Sequence, residues 1–461
     1  MSGSEARRKF QSVNPATGEV FASFEGLTEA ELDHKLAVAH QAFHQWRKWP
    51  IHERAKVLAR LGDLLEAGAS DLAAVMVAEM GKTFVQARGE VLKSAMTCRY
   101  YAENAAAFLA DDKYEVPNGT AAVRYLPLGP VLAVMPWNFP IWQVVRFLAP
   151  ALAAGNVGLL KHASNVPQCA AALERLTADA GAPEGVFQNI FIDTKLVEKV
   201  ILDDRVVAVT LTGSERAGIA VATAAGKALK PAVLELGGSD PFIVMPSADI
   251  ELAARMAVTA RMTNNGQSCV CAKRFIAHES IYDRFQELFL AGVAALKVGD
   301  PMDAGTDVGP ISSAVARADL HKQVEDALAS GARLLAGGAI PAGPGFYYPP
   351  TVLADIPAGA PVRQEEFFGP VAMLFKAADI TDAIKIANDI PFGLGSALWS
   401  NDEAEIEEFL NDTEAGCSAV NTLVASDPRV PFGGIKKSGY GRELSTHGMR
   451  EFMNLKTVLR G

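Results

Sequence analysis

The sequence predicts an α/β protein with two domains, each built on a largely parallel sheet. Its 461 residues are too many for one hydrophobic core, because a domain typically has roughly 100–200 residues. From Val131 to Leu236, short apolar runs alternate with helical segments, which is typical of βαβ units and of dinucleotide-binding folds. A second alternating region runs from about Asp249 to Val420, and it indicates a second α/β domain.

The N-terminal quarter is predicted to be helical. Thr28 and Glu31 form a capping-box pattern ahead of apolar residues at helical spacing. Two further helical patterns run from about Ile51 to Glu66 and from about Asp71 to Leu109, and the second is expected to break near Gly81. These helices precede the first parallel sheet.

Strands are expected wherever short apolar runs are bounded by turns. The runs in the first domain are VLAVM, VGLLK, FQNIFI, VVAVTLT and AVLEL, and those in the second are RFIAH, AMLFKA and SALWS. The turn-rich stretch from Lys113 to Leu128 predicts a hairpin that projects as an arm.

Composition excludes several classes of protein. A net charge of −10 gives no basic footprint, so neither nucleic acid nor an anionic membrane surface is an expected partner. The N-terminal sequence MSGSEARRKF has no apolar signal region, and no run of about 18 apolar residues occurs. Five cysteines suit neither a disulfide framework nor a zinc cage. We therefore expect a cytoplasmic protein without a membrane span.

A metal site is not expected either. His40 and His44 have the spacing of a helical metal pair, but no third ligand lies near them in the sequence.

Cys269 is the candidate nucleophile. The segment NNGQSCVCAKR places it in a small polar turn rather than on an apolar face, and a thiolate there could attack a carbonyl carbon. Taken alone, a cysteine is more often an ordinary buried residue. Glu235 and Asn138 favour the reactive interpretation.

Glu235 and Asn138 are candidate partners of this cysteine. Glu235 ends an apolar strand in LELGG, at the sheet edge where ligands bind in such folds, and it could act as a base there. Asn138 stands between two prolines in VMPWNFPIW, which would hold its amide rigidly toward an oxyanion. The alternatives are a glutamate that ends a strand and an asparagine that caps a turn.

Two segments are candidates for binding a nucleotide. VTLTGSERAG has the order strand, glycine turn, helix, and the free N–H groups of such a helix can bind a phosphate. Lys161 follows the strand VGLL and could contact a ribose or a phosphate. The glycine spacing alone is a weak signal, and a plain strand-to-helix turn remains the alternative.

Five motifs occur in order over nearly the whole chain: PWNFP, LELGG, GQSC, EEFFGP and PFGGIKKSGYGRE. Together they resemble the aldehyde dehydrogenase superfamily, and LKHASN, LELGGSDPF and CVCAKR most resemble its succinate-semialdehyde dehydrogenase branch. The resemblance implies oxidation of a small aldehyde to a carboxylic acid through a cysteine thioester, with NAD or NADP as the cofactor.

The resemblance also implies a domain organisation. Residues 1–110 and 129–236 would form a Rossmann-type cofactor domain, and residues 237–440 the catalytic domain. Residues 111–128 and 441–461, the latter including the strand MREFMNLKTV, would form a small β oligomerisation arm. The implied assembly is a homodimer or a homotetramer.

Site roles follow from the matching motif positions. Cys269 would be the nucleophile and Glu235 the general base, while Asn138 and the backbone N–H of Cys269 would stabilise the oxyanion. The residues expected to bind the cofactor are Pro136, Trp137, Lys161, Ser164, Gly213, Ser214, Leu236, Glu366 and Phe368. A coenzyme A-acylating enzyme and a non-catalytic family member are the alternatives, and the presence of Glu235 and Cys269 argues against both.

The substrate is expected to carry a carboxylate, with succinic semialdehyde as the leading candidate. Arg146, on an otherwise apolar helix, matches a carboxylate-binding arginine of the branch, and its planar fork suits a carboxylate. Some members have a second arginine where this chain has Thr263, so Ser426 and Arg429 are proposed to supply contacts instead. The alternatives are pairing of Arg146 with an internal Asp or Glu, and another small aldehyde such as glutarate semialdehyde.

Two further expectations depart from the common family pattern. Ser164 stands where NAD-specific relatives commonly have a glutamate that repels a 2′-phosphate, so NADP should be accepted as well as NAD. Cys271 is a possible redox partner of Cys269, although the alternative is a small packing residue in a loop too short for an unstrained disulfide.

Overall fold

The computed structural model describes residues 7–461. Its helices are α1 (Glu29–Trp46), α2 (Ile51–Ala67), α3 (Ala69–Met80), α4 (Phe84–Phe108), α5 (Trp142–Ala154), α6 (Pro167–Asp179), α7 (Val197–Leu202), α8 (Glu215–Lys227), α9 (Ile250–Met262), α10 (Tyr282–Ala294), α11 (Ala314–Ala329), α12 (Ile380–Asn388), α13 (Glu403–Asp412) and α14 (Ser445–Arg450).

The strands of the first half are β1 (Lys9–Val13), β2 (Val20–Glu25), β3 (Asp112–Val116), β4 (Gly119–Pro127), β5 (Pro130–Met135), β6 (Val157–His162), β7 (Phe187–Asn189), β8 (Ala208–Thr212), β9 (Ala232–Glu235) and β10 (Asp240–Val244). Those of the second half are β11 (Ala272–His278), β12 (Arg333–Ala336), β13 (Thr351–Ala354), β14 (Val371–Ala377), β15 (Phe392–Gly393), β16 (Gly395–Trp399), β17 (Cys417–Val420), β18 (Ile435–Lys436), β19 (Gly439–Tyr440) and β20 (Met453–Arg460).

The predicted N-terminal helices are confirmed. Thr28 and Glu31 form the capping box of α1, in which each side chain accepts a hydrogen bond from the other residue's backbone N–H. The expected break is at Gly81, whose φ of +82° ends α3 in the left-handed region. A Cβ at Gly81 would lie 2.8 Å from the backbone oxygen of Pro310, so both the conformation and the space favour glycine.

The first sheet has the strand order β19-β9-β8-β5-β6-β7. Its strands are parallel except β19, which pairs antiparallel with β9. The predicted catalytic domain, residues 237–440, included Gly439 and Tyr440, because two residues are too few to show the alternation of apolar and polar residues that marks a strand. Helices cover this sheet, and α5, which follows β5, is buried at every position. The carboxyl ends of β5, β8 and β9 all lie at the edge where the site forms.

The second sheet has the strand order β12-β13-β14-β11-β10-β16-β17, with only β12 antiparallel. It begins at Asp240, earlier than the predicted start near Asp249. All five residues of β10 are buried, so this short strand has no alternation of apolar and polar residues to reveal it. The short connection from β9 to β10 brings the two sheets together beside Glu235.

The remaining strands form small sheets. The predicted hairpin is β3 and β4, and β20 pairs antiparallel with β4 from Met453 to Arg460 to complete a three-stranded sheet. Within residues 7–461, no helix is both long and apolar enough to cross a membrane.

Candidate active site

The loop that carries Cys269 is held in an unusual backbone conformation. After α9, residues Asn264, Asn265 and Gly266 have φ values of +57°, +57° and +73°, a left-handed region that asparagine and glycine tolerate best. Nδ2 of Asn264 donates to the backbone oxygens of Asn138 and Gln267, each at 2.9 Å. These bonds hold the loop against the segment PWNFP, so that Cys269 and Asn138 belong to one rigid unit.

The electrostatic surroundings of Cys269 act in opposite directions. Burial raises the pKa of the Cys269 thiol to about 12, while Lys273 and Arg146 lower it. Lys273 is fully buried, and its Nζ donates to the backbone oxygens of Ser268 at 2.7 Å and Cys269 at 2.6 Å. Burial therefore favours the protonated thiol, and the two cations favour the thiolate that acts as a nucleophile.

Asn138 is buried and lines the same cavity as Cys269, and its role at an oxyanion stays a prediction. Its Nδ2 donates to the backbone oxygen of Gln267 at 3.0 Å. An amide nitrogen carries two protons, so this bond fixes the side chain and leaves a second donor.

Two buried side chains fix the backbone around Asn138. The ring nitrogens of His162 lie 3.3 Å from the oxygen of Met135 and 2.9 Å from that of Pro140. Oε1 of Glu90 accepts the backbone N–H groups of Ile141 and Trp142, each at 2.9 Å. The motif is thus held on both sides, which preorganises the Asn138 amide. Neither residue was predicted from the sequence: Glu90 lies outside the quoted motifs, and His162, although it lies in LKHASN, shows no role in the local pattern.

Glu235 ends β9 with its carboxyl group buried. Among the described residues, neither of its carboxylate oxygens has a hydrogen-bond partner. Burial, reinforced by the neighbouring Glu443, raises its pKa well above the usual range, while Arg146 and Arg442 lower it. A glutamate in this setting can hold or release a proton near neutral pH.

Arg146 has the internal partner that sequence analysis left as an alternative. Its Nε forms an ion pair with the buried carboxylate of Glu443, and its Nη2 lies 3.3 Å from Oγ1 of Thr212. Its guanidinium also stacks on the ring of Phe432, with 5.0 Å between Cζ and the ring centroid. Glu443, which the sequence did not single out, therefore balances part of the Arg146 charge.

One cavity of about 270 Å³ opens on Cys269 from the first sheet. Seven of the predicted cofactor residues line it, together with Asn138: Pro136, Trp137, Gly213, Ser214, Leu236, Glu366 and Phe368. Ser214 caps α8 by accepting the backbone N–H of Ala217 at 3.4 Å. The helix N-terminus and its free N–H groups thus lie at this cavity.

Glu366 spans from this cavity to the loop that carries Cys269. Its Oε1 lies 3.1 Å from Nζ of Lys273. A Cβ at Gly237 would collide with Oε2 of Glu366, so the first glycine of LELGG keeps space for this carboxylate. The rings of Trp137 and Phe368 pack edge to face with centroids 5.7 Å apart.

Lys161 and Ser164 do not line this cavity. Lys161 lies half-buried near the end of β6, where burial and the nearby Arg8 lower its pKa. Ser164 is exposed in the turn that follows. Both lie at the same carboxyl edge of the sheet, so their predicted contacts with the adenosine end of a cofactor stay predictions.

A second cavity of about 280 Å³ reaches Cys269 from the opposite side, between α4, α5 and the loop after β17. Its lining is largely apolar, and it includes Arg146 and Ser426 as predicted. It also includes Lys93, Trp142 and Phe432, to which the sequence assigned no role. Only the tertiary fold brings α4 to Cys269, so no local pattern could have identified Lys93.

The structure does not bring Arg429 to this cavity, and its contact with the substrate stays a prediction. Its guanidinium is exposed, it is absent from the cavity lining, and it forms two bonds to Asp427 at 2.8 and 2.7 Å. Asp427, two residues earlier in the chain, binds this guanidinium locally and keeps it out of the site.

Cys271 is buried, and its thiol donates to the backbone oxygen of Thr263 at 3.2 Å. It lines a small separate cavity rather than either cavity at Cys269. Both thiols are free, and the redox pairing stays a prediction.

The structure combines a parallel sheet of the nucleotide-binding type with a cysteine that lies where two cavities meet, beside a buried carboxyl group. These features define a dehydrogenase that works through a thiol. The chain belongs to the aldehyde dehydrogenase family, whose model matches residues 2–458. The family and the fold class predicted from the motifs are therefore confirmed, as is the enzyme class.

Relatives of known name support the same branch. The chain is 54% identical over 450 residues to the succinate-semialdehyde dehydrogenase (NADP+) 1 of Mycobacterium tuberculosis, covering 97% of this chain and 98% of the relative. The structure of succinic semialdehyde dehydrogenase from Streptococcus pyogenes in complex with NADP+ is 40% identical, with a TM-score of 0.96 and coverage of 98% and 99%. Succinate-semialdehyde dehydrogenase from Burkholderia pseudomallei is 36% identical, with a TM-score of 0.95 and coverage of 98% and 94%.

Proposed function

We propose that the protein oxidises succinic semialdehyde to succinate, with NADP as its preferred cofactor and NAD as an alternative. The observation that carries the substrate class is the cavity beside Cys269, which places the cations of Lys93 and Arg146 and the hydroxyl of Ser426 among apolar walls. Such a cavity suits a short aliphatic chain that ends in an anion. The names of the relatives agree with this chemistry.

The residues present fit a nicotinamide dinucleotide. The N-terminus of α8 opens on the cavity at Gly213 and Ser214, where it would bind the pyrophosphate. Glu366 and Phe368 line the end of this cavity next to Cys269, where they would hold the nicotinamide ribose and ring. When bound, the cofactor would accept a hydride from the substrate carbon.

Cys269 is proposed as the nucleophile. Its thiol would lose its proton to solvent water before it attacks the aldehyde carbon, and the nearby cations of Lys273 and Arg146 stabilise the thiolate that results. Attack forms a carbon–sulfur bond and converts the carbonyl oxygen to an alkoxide, which would become a thioester when its carbon gives up a hydride. Asn138 Nδ2 and the backbone N–H of Cys269 would donate to this oxygen, and their stabilisation is strongest in the transition state.

Glu235 is proposed as the base that activates water to hydrolyse the thioester. Water adds to the thioester carbon, the carbon–sulfur bond breaks, and Glu235 takes the proton of the water. Its raised pKa suits this role, because a more basic carboxylate accepts a proton more readily. Hydrolysis returns Cys269 and releases the carboxylic acid, so no coenzyme A is needed.

The preference for NADP is proposed from Ser164, three residues after Lys161. Ser164 puts a hydroxyl where a carboxylate would repel a 2′-phosphate, and the Lys161 ammonium is close by in the chain.

We also propose a homodimer or homotetramer joined through the sheet of β3, β4 and β20. Four large apolar residues of this sheet are exposed in the single chain: Tyr114, Val116, Leu455 and Leu459. Burying them against another copy would remove an apolar surface from water.

A panel of aldehydes with and without a terminal carboxylate, assayed with NADP and with NAD and without coenzyme A, tests the proposed function. Succinic semialdehyde with NADP should give the highest kcat/KM, and butyraldehyde, of similar length but uncharged, a much lower one. Equal kcat/KM for the two aldehydes would contradict the proposed substrate class.

A further inference from the structure

We propose that Lys93 binds the carboxylate of the substrate, with Ser426, and is thereby the main determinant of selectivity for carboxylated aldehydes. This inference rests on the proposed function, because it assigns the anion of that substrate to a particular residue. Lys93 lies on α4, half-buried, and lines the same cavity as Cys269.

The position of Lys93 Nζ is fixed by two contacts. It donates to Oγ of Ser426 at 2.9 Å, and it lies 4.2 Å from the centroid of the Trp142 ring. The cation–π contact holds the ammonium at the cavity wall. Three protons are available on the ammonium, so the Ser426 contact leaves donors for a ligand.

No carboxylate of the described chain forms an ion pair with Lys93. Within residues 7–461, no Asp or Glu oxygen lies within 4.0 Å of its Nζ. Three acidic residues in this region each bind a different cation. Glu90 pairs with Lys82, Glu443 with Arg146, and Asp427 with Arg429.

Arg429 contributes to this arrangement indirectly. Its bidentate contact holds the pKa of Asp427 at about 2, so this aspartate stays ionised but points its oxygens at Arg429. Without that contact, Asp427 would be free to swing toward Lys93 and fill the place of a substrate anion.

Lys93 and Arg146 differ in how much of their charge is available. Arg146 is buried and already forms an ion pair with Glu443, so a second anion gains little from it. A half-buried ammonium without an anionic partner gains a full charge-assisted interaction when a carboxylate arrives. Lys93 therefore contributes more to selectivity than Arg146 does.

Because Lys93 titrates, the selectivity for carboxylated aldehydes should depend on pH. Burial, and then repulsion from Arg146, lower the pKa of Lys93 to about 8, while Asp427 and Glu90 raise it. These three groups, on α5, in the loop after β17 and on α4 itself, are the charged groups that face it. A carboxylate binds the ammonium form, so selectivity should be full below pH 8 and should fall as the pH rises through this value.

The test compares kcat/KM for succinic semialdehyde and for butyraldehyde in Lys93→Met, Lys93→Arg and Arg88→Met, all with saturating NADP. Lys93→Met keeps the apolar stem and removes the charge. We expect the ratio of the two kcat/KM values to fall about ten- to a hundredfold, since a hydrogen bond to a charged group is worth on the order of 1.5–3 kcal/mol. Butyraldehyde oxidation should change little, which also shows that the variant is folded.

Two further variants serve as controls. Arg88→Met removes an exposed cation from the same helix, and it should leave the ratio unchanged. Lys93→Arg keeps a charge that does not titrate near neutral pH. It should retain most of the selectivity and abolish its decline above pH 8.

The outcomes separate this inference from the proposed function. If the wild-type enzyme shows no preference for succinic semialdehyde over butyraldehyde, the proposed function fails and the inference fails with it. If the wild type shows the preference and Lys93→Met retains it, or loses activity equally on both aldehydes, the inference is overturned and the proposed function stands.

Discussion

The two cavities that meet at Cys269 are built from different kinds of sequence. Residues that follow strand ends or lie in motifs such as PWNFP and EEFFGP line the cavity on the side of the first sheet. The other cavity includes some motif residues, such as Phe139 and Phe432, but residues of α4, α5 and the loop after β17 complete it. Under the proposed function, the first cavity would hold the cofactor, and the second would hold the substrate.

This difference explains which residues could be predicted. Strand ends and glycine turns constrain the backbone, so their roles are visible in a local sequence pattern. Lys93 lies on a helix whose place beside Cys269 depends on the packing of the whole domain, and nothing in its neighbours marks it. Mutations should therefore affect both aldehydes alike at the shared centre and should affect cofactor or substrate choice separately at the two cavities.

The largest effect should come from Cys269, which with Gln143 lines both cavities. Cys269→Ala should lower turnover with every aldehyde by about 10⁴-fold or more, because no other group can form the thioester. Steady-state cofactor reduction measures this loss. Cys271→Ala is the matched control, since its thiol bonds to Thr263 and lines neither cavity at Cys269. Similar losses in both variants would show that the loop, rather than the thiol of Cys269, is what matters.

Asn138→Ala should have the next largest effect. Removal of one oxyanion donor costs about a hundred- to a thousandfold in kcat, and the loss should be alike for succinic semialdehyde and butyraldehyde because both form the same alkoxide. The side chain also bonds to Gln267, so a thermal unfolding curve should accompany the kinetics. A loss confined to KM, with kcat unchanged, would rule out the oxyanion role.

Ser164→Glu should have a smaller effect, restricted to the cofactor. A carboxylate at this exposed position would repel a 2′-phosphate, and we expect kcat/KM for NADP to fall about five- to tenfold relative to NAD, since like charges about 4 Å apart in water cost on the order of 1 kcal/mol. Ser164→Gln, of the same shape without the charge, is the control. If Ser164→Glu leaves the ratio of NADP to NAD unchanged, Ser164 does not face the 2′-phosphate.

The helices, both main sheets and the hairpin of β3 and β4 could be predicted from the spacing of apolar residues and from the turn residues between them. The capping box at Thr28 fixed one helix start, and the continuous apolar runs of β5 and β8 indicated buried parallel strands. By contrast, β10 and β19 are too short to show an alternation of apolar and polar residues. The ion pairs of Arg146 and Arg429 depended on side-chain geometry, which no motif encodes. Of the three residues expected from the sequence to bind the substrate, Arg146 and Ser426 line the cavity and Arg429 does not.

The central claim is that Cys269 forms a thioester with a carboxylated aldehyde and that Glu235 is needed to hydrolyse it. Glu235→Gln keeps the shape of the side chain and removes the base. Mixed with succinic semialdehyde and NADP, this variant should show a burst of cofactor reduction of about one equivalent per active site, followed by slow turnover. Mass spectrometry of the quenched protein should find a succinyl group on the peptide that contains Cys269. A variant that shows neither the burst nor the added succinyl group would contradict the account.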